Sequence, residues 1–533
     1  MPARWLLVLL PAPVLAAQVP DQPSKPPERV LQLTLEDALR IAMRNNLDLE
    51  IERLSTEEAR HLALGSWGAF DPVLAATGTA SEAERQGTSS LAGGTVVEDD
   101  DLQLDVGLSQ PLTTGGRLDL TLNHVNSKTT NQFAAFDVST TDVLSLALTQ
   151  PLLRGGWRRY ATADQTESEV LLQRQIETER ETLQRVLLDV TNAYWDLVSA
   201  EEELAVRQIA VDLGLEQLAQ DRRRLEVGAG TEVDVLQAET NAAQNEQQRL
   251  LAEFDVRQSR DSLRRLLSPR PEGEYEQFLA AWDWPIETLT ALPEIDSTLQ
   301  LSWTDSLQLA IEQRPELAQR RLDVRLAEVD LTRRESERLP QLDLALATSS
   351  VGFDADPQES LQIALDRDFP SSSAALIFSF PLFNRTARHA ERAARAALRS
   401  ARLAYDRLEL DVLADVRASV RDVLFGVESV EAAGKSRDLA RRQLEAEQTR
   451  QEVGLSTTFQ VLQFQEDLAR ALSTEVAAKA VYAKSLAKLA HAEGRLGADI
   501  GVDTTAPAAA PEPQQQPTEQ PPAEPPKEGE EPR

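Results

Sequence analysis

The sequence contains no cysteine, few aromatic residues and an excess of negative charge. The absence of cysteine among 533 residues excludes disulfide bonds, thiolate metal sites, a cysteine nucleophile and a lipid anchor on an N-terminal cysteine. Aromatic residues make up 5% and charged residues 27% of the chain, which suits long exposed helices better than a thick core. The net charge of −32 argues against a nucleic-acid-binding protein, which needs a basic face.

Long apolar runs are also missing. No stretch of the sequence has the roughly 20 consecutive apolar residues that a membrane-spanning helix requires, which excludes such a helix. The first residues, MPARWLLVLLPAPVLAAQ, combine one arginine, a short apolar run and small residues at the end of that run. This pattern is typical of a secretory signal peptide, which we expect to cover residues 1–17. The mature chain is therefore predicted to be exported.

The residue patterns of catalytic and metal sites are absent from the sequence. It has no glycine-rich phosphate loop and no nucleophile elbow, and its four histidines lack metal-ligand spacing. The acidic run Glu98–Asp101 is expected in a loop, where calcium binding competes with simple solvation, but the run lacks the order of an EF-hand. We therefore predict a protein that is not an enzyme and that has no cofactor or metal.

The chain repeats itself once. LTLEDALRIAMRNNLDLE, from Leu33, matches LSWTDSLQLAIEQRPELA, from Leu301, and EVGAGTEVDVLQ matches EVGLSTTFQVLQ. TQPLLRGG, from Thr149, likewise matches SFPLFNRT. Within the first repeat, SQPLTTGGR at 109–117 matches TQPLLRGGW at 149–157, which indicates an additional hairpin of about 40 residues. The predicted repeats span 31–267 and 301–497, with a connector at 268–300 and a disordered Pro- and Glu-rich tail at 504–533.

Each repeat combines strands with long helices. Segments within about 71–153 and about 340–383 alternate apolar and polar residues, a pattern that fits either a membrane barrel with a wet lumen or a soluble sandwich. Heptad spacing predicts unbroken coiled-coil helices from about 161 to 227 and from about 385 to 453. At about 1.5 Å per residue each rod is on the order of 100 Å long. Each returns through a second helix, to about 267 and about 496.

These motifs, in this order and present twice, resemble the TolC family of outer membrane efflux proteins. The resemblance covers nearly everything from about Leu31 to Gly497. It implies an α+β membrane protein: a homotrimeric outer-membrane β-barrel continued by a long periplasmic α-helical coiled-coil barrel, built from two tandem repeats per protomer. It further implies a passive exit duct of a tripartite efflux or type I secretion system of a Gram-negative bacterium. The partners would be outer-membrane lipid, a periplasmic adaptor and an inner-membrane transporter.

The two helical turns carry the candidate site residues. Gly228 and Gly454 provide positive φ angles for the reversals, and Thr231 and Thr457 can cap the returning helices. These four residues make either a well-formed turn alone or, as the resemblance implies, a turn that is also the adaptor contact.

The resemblance places a gate at the same tips. Asp234 lies six residues after Gly228, where family members carry a carboxylate that faces the tunnel axis, and Glu232 stands nearby. The second repeat departs from this pattern, because Gln460 and Gln463 occupy the places where an acidic constriction is often found in the family. Threefold symmetry would turn Asp234 into a ring of three carboxylates, whereas the alternative is a solvated carboxylate favoured by the helix dipole.

Two questions stay open at this level. The family minimum is four strands per protomer, twelve per barrel, so the additional hairpin either widens the barrel to eighteen strands or forms an extracellular or plug-like excursion. We favour the excursion, because a wider barrel would have to join an unchanged helical tunnel. The alternative function is a soluble periplasmic coiled-coil adaptor or scaffold, whose strands would face each other in a small sandwich.

Overall fold

Two long helical hairpins and one antiparallel sheet dominate the structure. The computed structural model describes residues 31–86, 96–131, 134–267, 282, 285–295 and 300–497; the predicted signal peptide, most of the connector and the tail lie outside them. The helices are α1 (Leu35–Asn45), α2 (Leu47–Ser66), α3 (Arg158–Ala161), α4 (Ala163–Glu226), α5 (Glu232–Leu267), α6 (Trp303–Gln313), α7 (Pro315–Glu337), α8 (Pro357–Asp366), α9 (Arg385–Glu452) and α10 (Thr458–Ala492). The strands are β1 (Leu31–Leu33), β2 (Val73–Gln86), β3 (Val96–Pro111), β4 (Arg117–Thr129), β5 (Val138–Pro151), β6 (Ile286–Thr288), β7 (Gln341–Asp354) and β8 (Pro370–Ser379).

Six strands form one continuous sheet in the order β2-β3-β4-β5-β7-β8, and all neighbours are antiparallel. The first repeat contributes four of these strands and the second contributes two. The expectation that the additional hairpin forms an excursion is therefore wrong. Its strands carry the same alternation as the others, so pairing within the sheet satisfies their backbone groups and extends both faces.

The acidic run Glu98–Asp101 also differs from its prediction. It lies within β3 and not in a loop. Two of its side chains are hydrogen-bonded to the neighbouring strand β4. Asp99 accepts a hydrogen bond from the hydroxyl of Thr129 (2.6 Å), and Asp101 accepts one from the hydroxyl of Ser127 (2.5 Å). The described residues contain no group of three or more acidic or histidine side chains suited to a metal ion.

The register separates the sheet into an apolar face and a polar face. On the apolar face, Leu108, Leu120 and Leu146 lie side by side on β3, β4 and β5, each 41% exposed. The same face carries Leu102, Leu104, Val106, Leu118, Leu122, Leu144, Leu148, Leu342, Leu344 and Leu346. On the opposite, polar face, the hydroxyl oxygens of Thr121 and Ser145 lie 3.0 Å apart.

The long helices pack as narrow rods. Helices α4 and α9 have 64 and 68 residues, so each is on the order of 100 Å long. Helix α4 packs against both α5 and α10, and α10 packs against α9, which gives the lateral order α5–α4–α10–α9. Within the part of the chain that the structure describes, no helix has the length and apolar character needed to cross a membrane.

The core is deepest near the middle of the rods. Tyr194 of α4 is fully buried, and its hydroxyl donates to the carbonyl oxygen of Leu33 (3.1 Å) and accepts from the backbone N–H of Thr290 (3.0 Å). These bonds fasten the short parallel pair β1–β6 against α4. Val190 and Ala483 belong to the same apolar cluster, which therefore joins helices from both repeats.

Candidate functional site at the helical tips

The first hairpin reverses through a left-handed glycine. After α4 ends, Gly228 adopts φ +75°. The N–H of Gly228 donates to the carbonyl oxygen of Leu225 (3.0 Å), and that of Ala229 donates to Arg224 (2.8 Å). This pair of bonds is the Schellman motif, which satisfies the last carbonyl groups of the helix.

The second hairpin reverses in the same way. Gly454 adopts φ +77°, and its N–H donates to the carbonyl oxygen of Gln451 (3.0 Å). The N–H of Leu455 donates to Arg450 (2.8 Å). The repeated glycine of the sequence therefore marks two copies of one backbone turn.

Thr231 and Asp234 form a reciprocal cap at the start of α5. The Thr231 hydroxyl oxygen accepts from the Asp234 N–H (3.2 Å), and Asp234 Oδ2 accepts from both the N–H (3.0 Å) and the hydroxyl (2.6 Å) of Thr231. This is a capping box with aspartate in the third helical position. Asp234 thus has the local role of a helix-start carboxylate, and Glu232 beside it is exposed.

The second tip uses amide and hydroxyl groups in the corresponding places. The Thr457 hydroxyl oxygen accepts from the N–H of Gln460 (3.4 Å) at the start of α10. The side-chain oxygen of Gln460 accepts from the hydroxyl of Ser456 (3.1 Å), which also donates to Glu447. Gln460 and Gln463 are both exposed.

Next to the turns lies a buried polar layer that the sequence analysis missed. We call it the tip layer and define it as Gln217, Asp221, Gln451 and Thr458. The Thr458 hydroxyl donates to Asp221 Oδ1 (3.0 Å) and accepts from Gln451 Nε2 (3.3 Å), while Gln217 Nε2 donates to Asp221 Oδ2 (3.0 Å). Asp221 is only 2% exposed. The bond between Thr458 and Asp221 joins the two hairpins.

The helical repeat explains why these polar groups are buried. Ala210, Gly214, Gln217 and Asp221 follow one another at spacings of four, three and four residues, and all are buried. This is the spacing of the core positions of a coiled coil. The layer could have been found from the sequence by one feature: polar residues occupy the next core positions after small or apolar ones.

Comparison with known proteins identifies the family. The profile of the family described as outer membrane efflux protein matches residues 116–268 and 306–495, more than half of the chain. The chain belongs to the outer membrane efflux protein family. The resemblance predicted from the sequence is confirmed, and this efflux protein is a channel component of the outer membrane that extends into the periplasm.

Individual proteins are similar to this chain in sequence or in fold. The efflux protein is 24% identical over 416 residues to the outer membrane efflux protein BepC of Brucella suis biovar 1 (strain 1330), which covers 77% of this chain and 83% of BepC. Its structure is similar to that of the outer-membrane channel OprN (TM-score 0.62, 16% identity, covering 86% and 89% of the two chains). The Campylobacter jejuni outer membrane channel CmeC is comparable (TM-score 0.61, 16% identity, 86% and 85%).

Replacing either tip glycine by alanine tests the turn geometry. A methyl group at Gly228 or Gly454 would contact nothing within 4 Å, so the expected loss comes from backbone strain alone. We expect each substitution to lower the free energy of unfolding of its tip by about 1–2 kcal/mol, measured by hydrogen exchange of the tip amides. The matched control is Gly434→Ala within α9, which also meets nothing within 4 Å but has no positive φ and should be stabilising by up to about 1 kcal/mol. Equal effects at all three glycines would contradict the strain argument.

Proposed function

We propose that three copies of this efflux protein assemble into one passive exit duct, with a barrel in the outer membrane and a helical tunnel that is gated at its periplasmic tips. One observation carries this proposal. In a single chain, the sheet ends in two unpaired edge strands and the helical layer ends in two edge helices, and each pair of edges can join to a neighbouring copy. The resemblance to trimeric family members supports the same assembly.

The sheet ends in two edge strands, β2 and β8. Since strand directions alternate across six strands, β2 runs away from the helices and β8 runs back toward them. Strand β8 of one protomer can therefore pair antiparallel with β2 of the next. Three protomers of six strands would close a barrel of eighteen, with the apolar face toward lipid and the polar face toward the lumen.

The helical layer ends in α5 and α9, and both edge helices expose large apolar side chains. These are Leu236, Leu250, Leu251 and Phe254 on α5, and Leu403, Leu410, Phe425 and Leu439 on α9. Exposed apolar rows of this kind mark contact surfaces, and an α5–α9 contact between neighbours would bury them. The same rotation of one protomer onto the next would thus close the barrel and the tunnel together.

A soluble adaptor is the less favoured function. In a sandwich, the apolar face of a sheet packs against a second sheet. Here the central leucines of the apolar face, Leu108, Leu120 and Leu146, have no second sheet over them among the described residues. A face of this kind suits lipid.

The tip layer is the proposed contact that opens. Opening separates the α4–α5 hairpin from the α9–α10 hairpin at the tip, and the layer lies between them. Because its groups are polar, they can exchange their mutual hydrogen bonds for water when the hairpins part. An apolar layer would instead expose surface at a cost of about 25 cal/mol per Å².

The tip residues would also meet the partners and the substrate. We propose that the turns at Gly228–Thr231 and Gly454–Thr457 contact a periplasmic adaptor and that an inner-membrane transporter supplies the energy. Three copies of Glu232 and Asp234 would place carboxylates around the mouth, next to the uncharged Gln460 and Gln463. This arrangement would favour cations over anions at the tip.

Electron microscopy of the detergent-extracted protein tests the assembly directly. We expect hollow threefold cylinders with a wide end and a long tapered end. Thin flexible rods recovered from the periplasm without detergent would overturn the duct and favour the adaptor.

Thr458→Val tests the tip layer. Valine keeps the shape of threonine but removes the hydroxyl that Asp221 and Gln451 share, which leaves a buried carboxylate oxygen without its partner. The closed form should lose about 1–3 kcal/mol, so the open population in planar bilayers should rise about fivefold or more. Thr458→Ser, which keeps the hydroxyl, is the matched control and should behave as wild type. A closed valine variant with normal folding would show that the layer does not hold the tip.

Asp234→Asn tests the charge of the proposed carboxylate ring separately from the role of Asp234 as a helix cap. Asparagine retains an oxygen that can accept from Thr231, so the helix start should be preserved while three charges leave the mouth. We expect the cation-to-anion permeability ratio, measured from the reversal potential in a salt gradient, to fall about twofold or more. An unchanged ratio would restrict Asp234 to its capping role.

A further inference from the structure

A groove between α7 and the start of α4 lies where the sheet meets the long helices. Its volume is about 390 Å³, and its lining includes Arg158, Arg159, Thr162, Arg325, Glu328 and Thr332. Strand β5 ends at Pro151 and α3 begins at Arg158, so the groove is only a short turn away from the sheet. Helices α4 and α7 pack against each other within one chain, so both sides of the groove are present in a single protomer.

Three guanidinium groups and one carboxylate supply the charge of this groove. Arg158 and Arg159 form no ion pair with any residue that the structure describes. Arg325 lies 3.4 Å from Glu328, whose second oxygen accepts a hydrogen bond from Arg402 of α9 (3.1 Å). The single carboxylate is thus shared between two arginines. Three positive charges against one negative charge leave the groove with an excess of two positive charges.

The free hydrogen-bond donors of the groove are guanidinium N–H groups. The hydroxyl of Thr162 already donates to the carbonyl oxygen of Arg158 (2.8 Å), and that of Thr332 donates to the carbonyl oxygen of Glu328 (2.9 Å). A guanidinium presents its N–H donors in a planar fork that matches the oxygen atoms of a phosphate or a carboxylate. A phosphate monoester has three acceptor oxygens and about two negative charges, so it matches three forks and the excess charge better than a carboxylate does.

Helix α9 continues the positive charge along the same surface. Arg402 bonds to Glu328, which lines the groove, and Arg395 bonds to Glu335, one heptad further along α7 (3.3 Å). Both arginines belong to a row of six at alternating spacings of three and four residues, which places the row on one side of the helix. The row consists of Arg385, Arg388, Arg392, Arg395, Arg399 and Arg402. It therefore borders the groove and would raise the local concentration of anions there.

The stability of α9 does not account for this row. The N-terminal end of a helix carries a partial positive charge, so cations in the first turn are unfavourable. Helix α9 nevertheless begins with Arg385 and Arg388 and has no acidic residue in its first turn. In a chain whose net charge is −32, a surface of this kind is suited to an anionic ligand.

We propose that the groove binds a phosphate monoester, held by Arg158 and Arg159 of α3 and by Arg325 of α7. The binding is independent of the trimer proposed above, because one chain supplies all three arginines. Two sources can present this group at the edge of the sheet: a lipid that bears a terminal phosphate, or a soluble phosphorylated compound. Both would use the same guanidinium contacts, and they differ in whether acyl chains contribute to binding.

Calorimetric titration of the full chain in dodecyl maltoside, at fixed ionic strength, tests the site with two probes. These are glycerol 3-phosphate and dihexanoyl phosphatidic acid, which carries the same phosphate on a lipid. We expect saturable binding of at least one probe. Binding of glycerol 3-phosphate at equal or higher affinity would identify a soluble ligand, and a preference for the lipid would identify a lipid phosphate. Absence of saturable binding for both probes would overturn the proposal.

Variants distinguish the groove from a general attraction between anions and arginine. Arg159→Gln and Arg325→Gln should each weaken binding about tenfold or more, because each removes a charged hydrogen-bond donor. Glu328→Gln should strengthen binding several-fold, because the competing carboxylate is lost, and a damaged fold could not produce this gain. The matched control is Arg441→Gln, which removes the same charge from an exposed arginine of α9 nearer the tip and should bind as wild type does. Equal affinities in the three arginine variants would overturn the proposal.

Discussion

The contact between α4 and α10 is the constraint on which the rest of the structure depends, because it holds the two repeats side by side. Near the middle of the rods this contact is apolar, with Tyr194 and Val190 of α4 in one cluster with Ala483 of α10. At the tips it becomes polar, through Thr458 and Asp221. In the proposed duct, a contact that is apolar in the middle and polar at one end would let the tips part while the sheet stays in register.

The tandem repeat reproduces backbone geometry more faithfully than side-chain chemistry. Both tips keep the left-handed glycine and the threonine cap, yet the third helical residue is Asp234 in one and Gln460 in the other. The helix junctions show the same divergence. Asn46 and Arg314 have nearly identical backbone angles, but Asn46 caps its helix through its side chain, whereas Arg314 pairs with Glu316 and Asp415. Three protomers would thus present two kinds of tip in alternation.

The features of the fold that extend over many sequence repeats could be predicted from the sequence. Short elements, and features that depend on contacts between distant segments of the chain, could not. The heptads predict rods at about 161–227 and 385–453, and the helices run Ala163–Glu226 and Arg385–Glu452. Helix α8 was missed within a segment assigned to strands, because ten residues give too few turns for a period to emerge. The tip layer was missed because Asp221 is recognisable as buried only when α10 lies against it. Self-similarity revealed the additional hairpin, but it contains no information on register, so its place in the sheet was predicted wrongly.

The even number of strands has a consequence for how such a sheet can change in size. Adding a single strand would leave the two edges running in the same direction and would bring the chain to the wrong end of the sheet for its next helix. A whole hairpin preserves both the direction of the edges and the entry to the rods, as the paired turns of SQPLTTGGR and TQPLLRGGW illustrate. The width of this sheet can therefore change only by whole hairpins if the four long helices are to keep their number and their connections to the sheet.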